Sequence, residues 1–296
     1  KRWRLQQKER AAHGALLDAM AQFMEGRFLR ARKSAELVLV REKSLSDSGE
    51  ILEHAGALRC VAHILAAESA HALHDKVTRQ SHLDQALQEP AGGFAPLRQT
   101  LIEGSMLRAA RWALDDRDAA ESLLWLDRLP LGVSRRTLAM RLRLKAARLA
   151  GESSQALDTA LLLIKHRAFA TEAAESMIRG LVFELIAKTH ESGQMQRLWT
   201  RLGEAQRHSP DLAIQAAQHW LSLMGEPVVM RTWLNPIWVR WQASPQALSK
   251  AQQLKLTQAL DKSFTGQDTS EERDWLALIE SAQKSNPREP LLQFLA

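Results

Sequence analysis

Tyrosine is absent from this chain and cysteine occurs once, as Cys60. A single cysteine excludes an intramolecular disulfide and any zinc site built from several thiolates. Proline is sparse at 9 residues, and runs of β-branched residues are short, which leaves little that reads as strand. No stretch approaches the ~18 consecutive apolar residues of a membrane-spanning helix. Catalytic fingerprints are missing too: there is no GxGxxG, no GxxxxGK[ST] and no GxSxG. His190-Glu191-Ser192-Gly193-Gln194 imitates the zinc-protease HExxH, but Gln194 stands where the second histidine belongs. Gly193 is also expected to end the helix that such a site needs.

What is present is helical. Ala, Leu, Arg, Gln and Glu dominate, and they are good helix formers. Leu16, Ala19, Met20 and Phe23 follow the i, i+3, i+4, i+7 rule before a break at Gly26. Gly26 is followed by Ala31 and Ala35, and Gly151 by Ala156 and Ala160, at the same offsets. A weaker copy reads Asp115, Ala120, Leu124. Glycine takes the left-handed conformation that closes a helix, and small residues let two helices approach closely. The step from 115 to 151 is near the ~34 residues of a tetratricopeptide repeat. Ala156, Ala160 and Leu163 form one stripe and Leu157, Leu161 and Ile164 a second. Such a helix packs on two neighbours at once, as in a solenoid. The predicted fold is therefore an all-α, tetratricopeptide-like superhelix, with two hairpins over 1–88 and further repeats over 89–296. The Pro/Gly loop at 89–96 separates them. Every proline is expected at or near a helix junction, and Trp233, Trp238 and Trp241 are expected in the core. Repeats of this kind make binding surfaces, so the expectation is a scaffold that binds other proteins and not an enzyme.

The net charge of +6 resides in residues 1–43, which carry eleven basic and five acidic side chains. A nucleic-acid binder would spread its excess over a groove. A terminal cluster of Lys1, Arg2, Arg4, Lys8 and Arg10 points instead to anionic lipid beside a membrane anchor. A second basic segment, Arg135, Arg136, Arg141, Arg143, Lys145 and Arg148, is a candidate surface for an acidic partner.

Histidines are crowded: five of the ten lie between residues 54 and 82. At 100° per residue, Cys60, His63, His71 and His74 fall within one narrow arc of a helix. One reading is a ligand stripe for a transition metal or haem. The other is a partly solvated polar face. His71 and His74 are three residues apart and cannot ligate opposite faces of one porphyrin, so His54 or His82 would have to complete such a site.

Several segments together resemble a family. The basic start with Ala15-Leu16-Leu17-Asp18 and Glu25-Gly26-Arg27, then Leu65-Ala66-Ala67-Glu68-Ser69-Ala70 with His82-Leu83-Asp84-Gln85-Ala86, is similar to the HemY proteins of proteobacterial inner membranes. Ser209-Pro210-Asp211 and Arg288-Glu289-Pro290-Leu291-Leu292 resemble that family's later repeats. His74, where the family usually has glycine, and the loop at 89–96 depart from it. The resemblance implies two N-terminal membrane helices preceding this chain and a repeat domain facing the cytoplasm. It further implies an association with late haem biosynthesis, without an established reaction. It brings no obligatory cofactor, and haem remains the one candidate.

Overall fold

The computed structural model describes residues 2–49, 54–88, 95–167, 171–264, 270–287 and 289–295. The protein is all-α: among the described residues there are seventeen α-helices and no strand. Contacts group the chain into two compact units, residues 1–152 and 153–296. In the first lie α1 (Arg2–Met24), α2 (Phe28–Asp47), α3 (Ala55–Ala72), α4 (Lys76–Gln88), α5 (Ala95–Asp115), α6 (Ala119–Asp127), the short α7 (Leu131–Ser134) and α8 (Thr137–Leu149). In the second lie α9 (Ser153–Lys165), α10 (Thr171–Lys188), α11 (Ser192–Arg201), α12 (Glu204–Arg207), α13 (Pro210–Ser222), α14 (Pro227–Ala243), α15 (Lys250–Asp261), α16 (Ser270–Ser285) and α17 (Pro290–Leu295). Within the first unit each long helix packs on the next, and α1 on α3, α3 on α5 and α5 on α8. Residues 89–94 of the predicted loop lie outside the described residues, and beyond them α5 packs on α3 and α4.

One device ends five helices. Among the described residues seven are left-handed, Gly49 and Arg167 included, and those of these five turns are Gly26, His74, Arg117, Gly151 and Met224. At each, two backbone bonds reach back into the helix, as in Arg27 N–H to Gln22 O at 2.8 Å and Gly26 N–H to Phe23 O at 3.0 Å. Asp75 to Ala70, Asp118 to Ala113, Glu152 to Ala147 and Gly225 to Trp220 repeat the longer bond at 2.8–3.0 Å. This double closure satisfies carbonyls that the helix end leaves open. Only two of the five are glycines, so glycine spacing shows less than half the pattern. The register drawn from Asp115 is corrected accordingly. Arg117 is the left-handed residue, Ser122 and Leu126 are the buried positions, and Ala120 and Leu124 are exposed.

Alanine carries the close packing of the first unit. Ala12, Ala15, Ala19, Ala31, Ala35, Ala62 and Ala66 are buried where α1, α2 and α3 meet. In the second unit, Ala156 and Ala160 are fully buried on α9, as the spacing from Gly151 predicts. With no space left there, Ala160→Leu is expected to lower stability by ~1–3 kcal/mol through overpacking. A urea denaturation midpoint equal to the parent's would refute that packing. Trp233, Trp238 and Trp241 are also buried. Trp233 stacks on Trp199 at 4.8 Å between ring centroids and meets Trp220 at 5.1 Å, while Trp238 meets Trp275 at 6.0 Å.

Two local expectations fail. Pro236 lies inside α14, not at a junction. It forfeits one helix bond, to the carbonyl of exposed Thr232, while Leu234, Ile237, Trp238 and Trp241 bury the opposite face and keep the helix continuous. Gly193 belongs to the first turn of α11 and does not end α10, so His190 and Glu191 sit between helices. The HExxH likeness has no helix to stand on.

Candidate functional site

The histidine-bearing hairpin α3–α4 is where the structure places most of the predicted site residues, and it does not hold them as one stripe. Cys60 and His63 are buried against α4. The Cys60 thiol donates to the Ala86 carbonyl at 3.7 Å. His63 Nδ1 lies 2.9 Å from His82 Nδ1, with ring centroids 5.2 Å apart. Both imidazoles titrate below the ordinary histidine range. Burial is the first cause, and for His63 the neighbouring His82 and Arg59 add to it, pushing it down to about 4. For His82 burial outweighs the opposing pull of the Glu36 carboxylate. The pair is therefore neutral at pH 7.

His71 faces elsewhere. Its Nδ1 accepts from Arg79 Nη1 at 2.8 Å and its Nε2 lies 3.2 Å from Asp115 Oδ2, so the ring is held as the Nε2–H tautomer with both nitrogens in use. It packs on Trp112 at 5.7 Å. Arg79 also binds Asp116 at 2.8 Å, and Lys76 reaches the same carboxylate at 3.2 Å. Burial pushes the Asp116 carboxyl up, but these two cations outweigh it and hold it below the usual range. His74 is the exposed left-handed cap between α3 and α4. His54 is exposed at the start of α3. Among the described residues no three His, Cys, Asp or Glu side chains converge as a metal-binding group.

Glu68 anchors the neighbouring helix. Its buried carboxylate accepts from Arg108 Nε at 2.8 Å, Arg111 Nη2 at 2.5 Å and Trp112 Nε1 at 3.1 Å. This ties α3 to α5 and fixes the Trp112 ring under His71. Nothing in the one-dimensional pattern singles out Glu68, because its partners lie about 40 residues or more away.

The second candidate, the basic segment at α8, divides by face. Ala139, Met140, Leu142, Leu144, Ala146 and Ala147 are buried. Arg141, Lys145 and Arg148, at i, i+4 and i+7, share the exposed side. Arg143 is turned to Asp127 at 2.6 Å, and Arg136, at the start of the helix, lies 3.8 Å from Glu103. Arg135 is exposed. Arg141, Lys145 and Arg148 thus form an exposed ridge, and Arg143 and Arg136 lie near acids of the same unit.

At the N-terminus, Lys1 and the side chains of Arg2 and Arg4 lie outside the described residues. Lys8 and Arg10 are on α1, both exposed, and Ala12 is the first buried residue there among the described side chains. No helix among the described residues is long and apolar enough to cross a membrane. Deleting residues 1–10 is expected to abolish salt-sensitive binding to anionic vesicles, at ~1 kcal/mol per basic side chain. The melting temperature should hardly move, and a large fall would place this segment in the core.

Comparison of the chain with protein-family models, with curated proteins and with solved structures finds no match.

Proposed function

We propose that this chain is a non-enzymatic scaffold, a tetratricopeptide-like stack of helical hairpins that binds partner proteins at the inner membrane. Its repeats face the cytoplasm, and its partners act in late haem biosynthesis. The observation that carries the scaffold reading is the packing order of the first unit. There α1, α3, α5 and α8 succeed one another with the intervening helices packed between, and turns among them close on the same left-handed motif. Hairpins stacked in this way leave long exposed faces, which suit extended contacts with other proteins. The exposed ridge Arg141, Lys145, Arg148 supplies a basic strip for an acidic partner surface. The link to haem rests on the resemblance of sequence segments.

A paired experiment tests the reading. The purified chain is used as bait against solubilised inner membranes, and the same sample is titrated with haem in the Soret region. Capture of porphyrin-pathway enzymes, reduced by joint charge reversal of Arg141, Lys145 and Arg148, supports the proposal. A micromolar Soret shift abolished by joint replacement of Cys60, His63, His71 and His74 with alanine would favour a haem carrier instead. Capture of unrelated proteins alone would leave a membrane-linked interaction module with no role in haem metabolism.

A further inference from the structure

The imidazoles of His63 and His82 meet where α3 packs on α4, and α2 closes the site from the side of Glu36. His82 Nε2 lies 3.8 Å from Glu36 Oε1. A carboxylate on that side favours the Nε2–H tautomer, which leaves the Nδ1 lone pair of His82 directed at His63. His63 Nδ1 then carries the one proton that the two rings share. Two cations face the pair: Arg59, held by Glu42 at 2.7 Å, and Arg32, held by Asp75 at 2.9 Å and 3.7 Å from Glu36.

We propose that the His63–His82 pair is a binding site for a divalent transition metal of tetragonal preference, Cu²⁺ foremost, which replaces the shared proton. With metal–nitrogen bonds of ~2.0–2.1 Å, two nitrogens 2.9 Å apart subtend roughly 90° at an ion set to one side of the line between them, toward which each ring turns once the shared proton has left. That is the cis angle of a square-planar or tetragonal centre, whereas tetrahedral Zn²⁺ wants a wider bite of roughly 3.3 Å. The order of divalent affinities also puts copper above nickel, cobalt and zinc at a site of this kind. Water completes the coordination from the His82 side, whose side chain keeps 13% of its exposure. Binding releases the His63 Nδ1 proton, so one metal ion enters as one proton leaves. Glu36 acts as the positioning residue, fixing the tautomer without touching the metal. The site owes nothing to the scaffold reading, and either can fail alone.

The test uses the full chain carrying Cys60→Ser, so that no thiol competes, titrated with Cu²⁺ in a non-coordinating buffer at neutral pH. The first equivalent should give a tetragonal electron paramagnetic resonance spectrum with superhyperfine coupling to two nitrogens. About one proton should appear per copper in weakly buffered solution. His63→Gln and His82→Gln should each weaken binding by at least ~10-fold, and Glu36→Gln by ~10-fold, as for other outer partners of metal-bound histidine. His82→Gln, at the less buried partner, keeps the test valid if His63→Gln fails to fold by far-ultraviolet circular dichroism. Copper held equally well by the parent and by His82→Gln, with an unchanged spectrum, overturns the proposal. So does a parent that binds no copper at micromolar concentration.

Discussion

Arg231→Met should lower the stability of the second unit by ~3–5 kcal/mol, the loss expected when one partner of a buried ion pair is removed. Arg231 is 1% exposed on α14. Its Nε donates to both Glu271 oxygens at 2.9 Å, its Nη2 to the same carboxylate, and its Nη1 to the Ser263 carbonyl at 2.5 Å. Glu272, 4% exposed, lies 3.7 Å from Nη1, and the Phe264 ring sits 5.4 Å from the guanidinium carbon. Methionine fills the volume of the arginine stem but takes the guanidinium away from the Glu271 and Glu272 carboxylates and from the Ser263 carbonyl. At ~2–4 °C per kcal/mol the melting transition should fall by about 10 °C. Adding Glu272→Leu to Arg231→Met should recover much of the loss, because the cost lies in the uncompensated charge more than in the pair's own worth. An Arg231→Met protein that unfolds at the parent's denaturant midpoint would show that this cluster does not hold α14 to α16.

Arg231 also shows where reading the chain in one dimension runs out. It shares a helical face with Leu234, Trp238 and Trp241, all buried. On spacing alone, that register places Arg231 on the core side. Its acids, however, lie about 40 residues on, and only the packing of α14 near the start of α16 brings them within reach. The hairpins were more legible. Gly26 and Gly151 announce their turns because glycine takes the left-handed region freely. His74, Arg117 and Met224 make the same turn with side chains that normally avoid it, at φ of 59°, 63° and 57°. There the backbone bonds of the motif and the packing of the next helix override local preference, and no residue type betrays the turn.

The candidate site divides along the same line. The six basic residues from Arg135 to Arg148, read from the sequence as one surface, divide in the structure: Arg141, Lys145 and Arg148 are exposed on one side of α8, while Arg143 reaches Asp127 and Arg136 lies near Glu103. Helical spacing fails for Cys60, His63, His71 and His74, because their environments depend on α4 and α5. Cys60 and His63 meet Ala86 and His82, His71 meets Arg79 and Asp115, and His74 has already left the helix. Sharing an arc gave these four residues no common neighbour. The contact that matters chemically, His63 with His82, pairs residues 19 apart on two helices, a register that periodicity within one helix does not contain.

That contact should also make stability depend on pH in a predictable direction. His63 keeps the unfolded value of 6.5 once the chain opens, but in the fold burial, then His82 and Arg59, push it down to about 4. A histidine whose folded value is depressed contributes its full share of stability above pH 6.5. Between pH 6.5 and 4 the unfolded chain binds the proton and the folded one does not, so stability falls as the pH is lowered. One proton bound across one pH unit is worth ~1.4 kcal/mol, so the loss over that window is at most on the order of 3 kcal/mol. His82, lowered by burial against the pull of Glu36 and with Arg32 adding to the same side, contributes in the same sense. Replacing His63 with glutamine keeps a hydrogen-bonding side chain opposite His82 and removes the titration. Unfolding free energies measured by urea at several values between pH 7 and 4 should therefore drop more steeply for the parent than for His63→Gln, by up to about one proton's worth of slope. Parallel curves for the two proteins would mean that His63 is solvated enough to protonate within the fold, and the buried imidazole pair would then have no place at the α3–α4 contact.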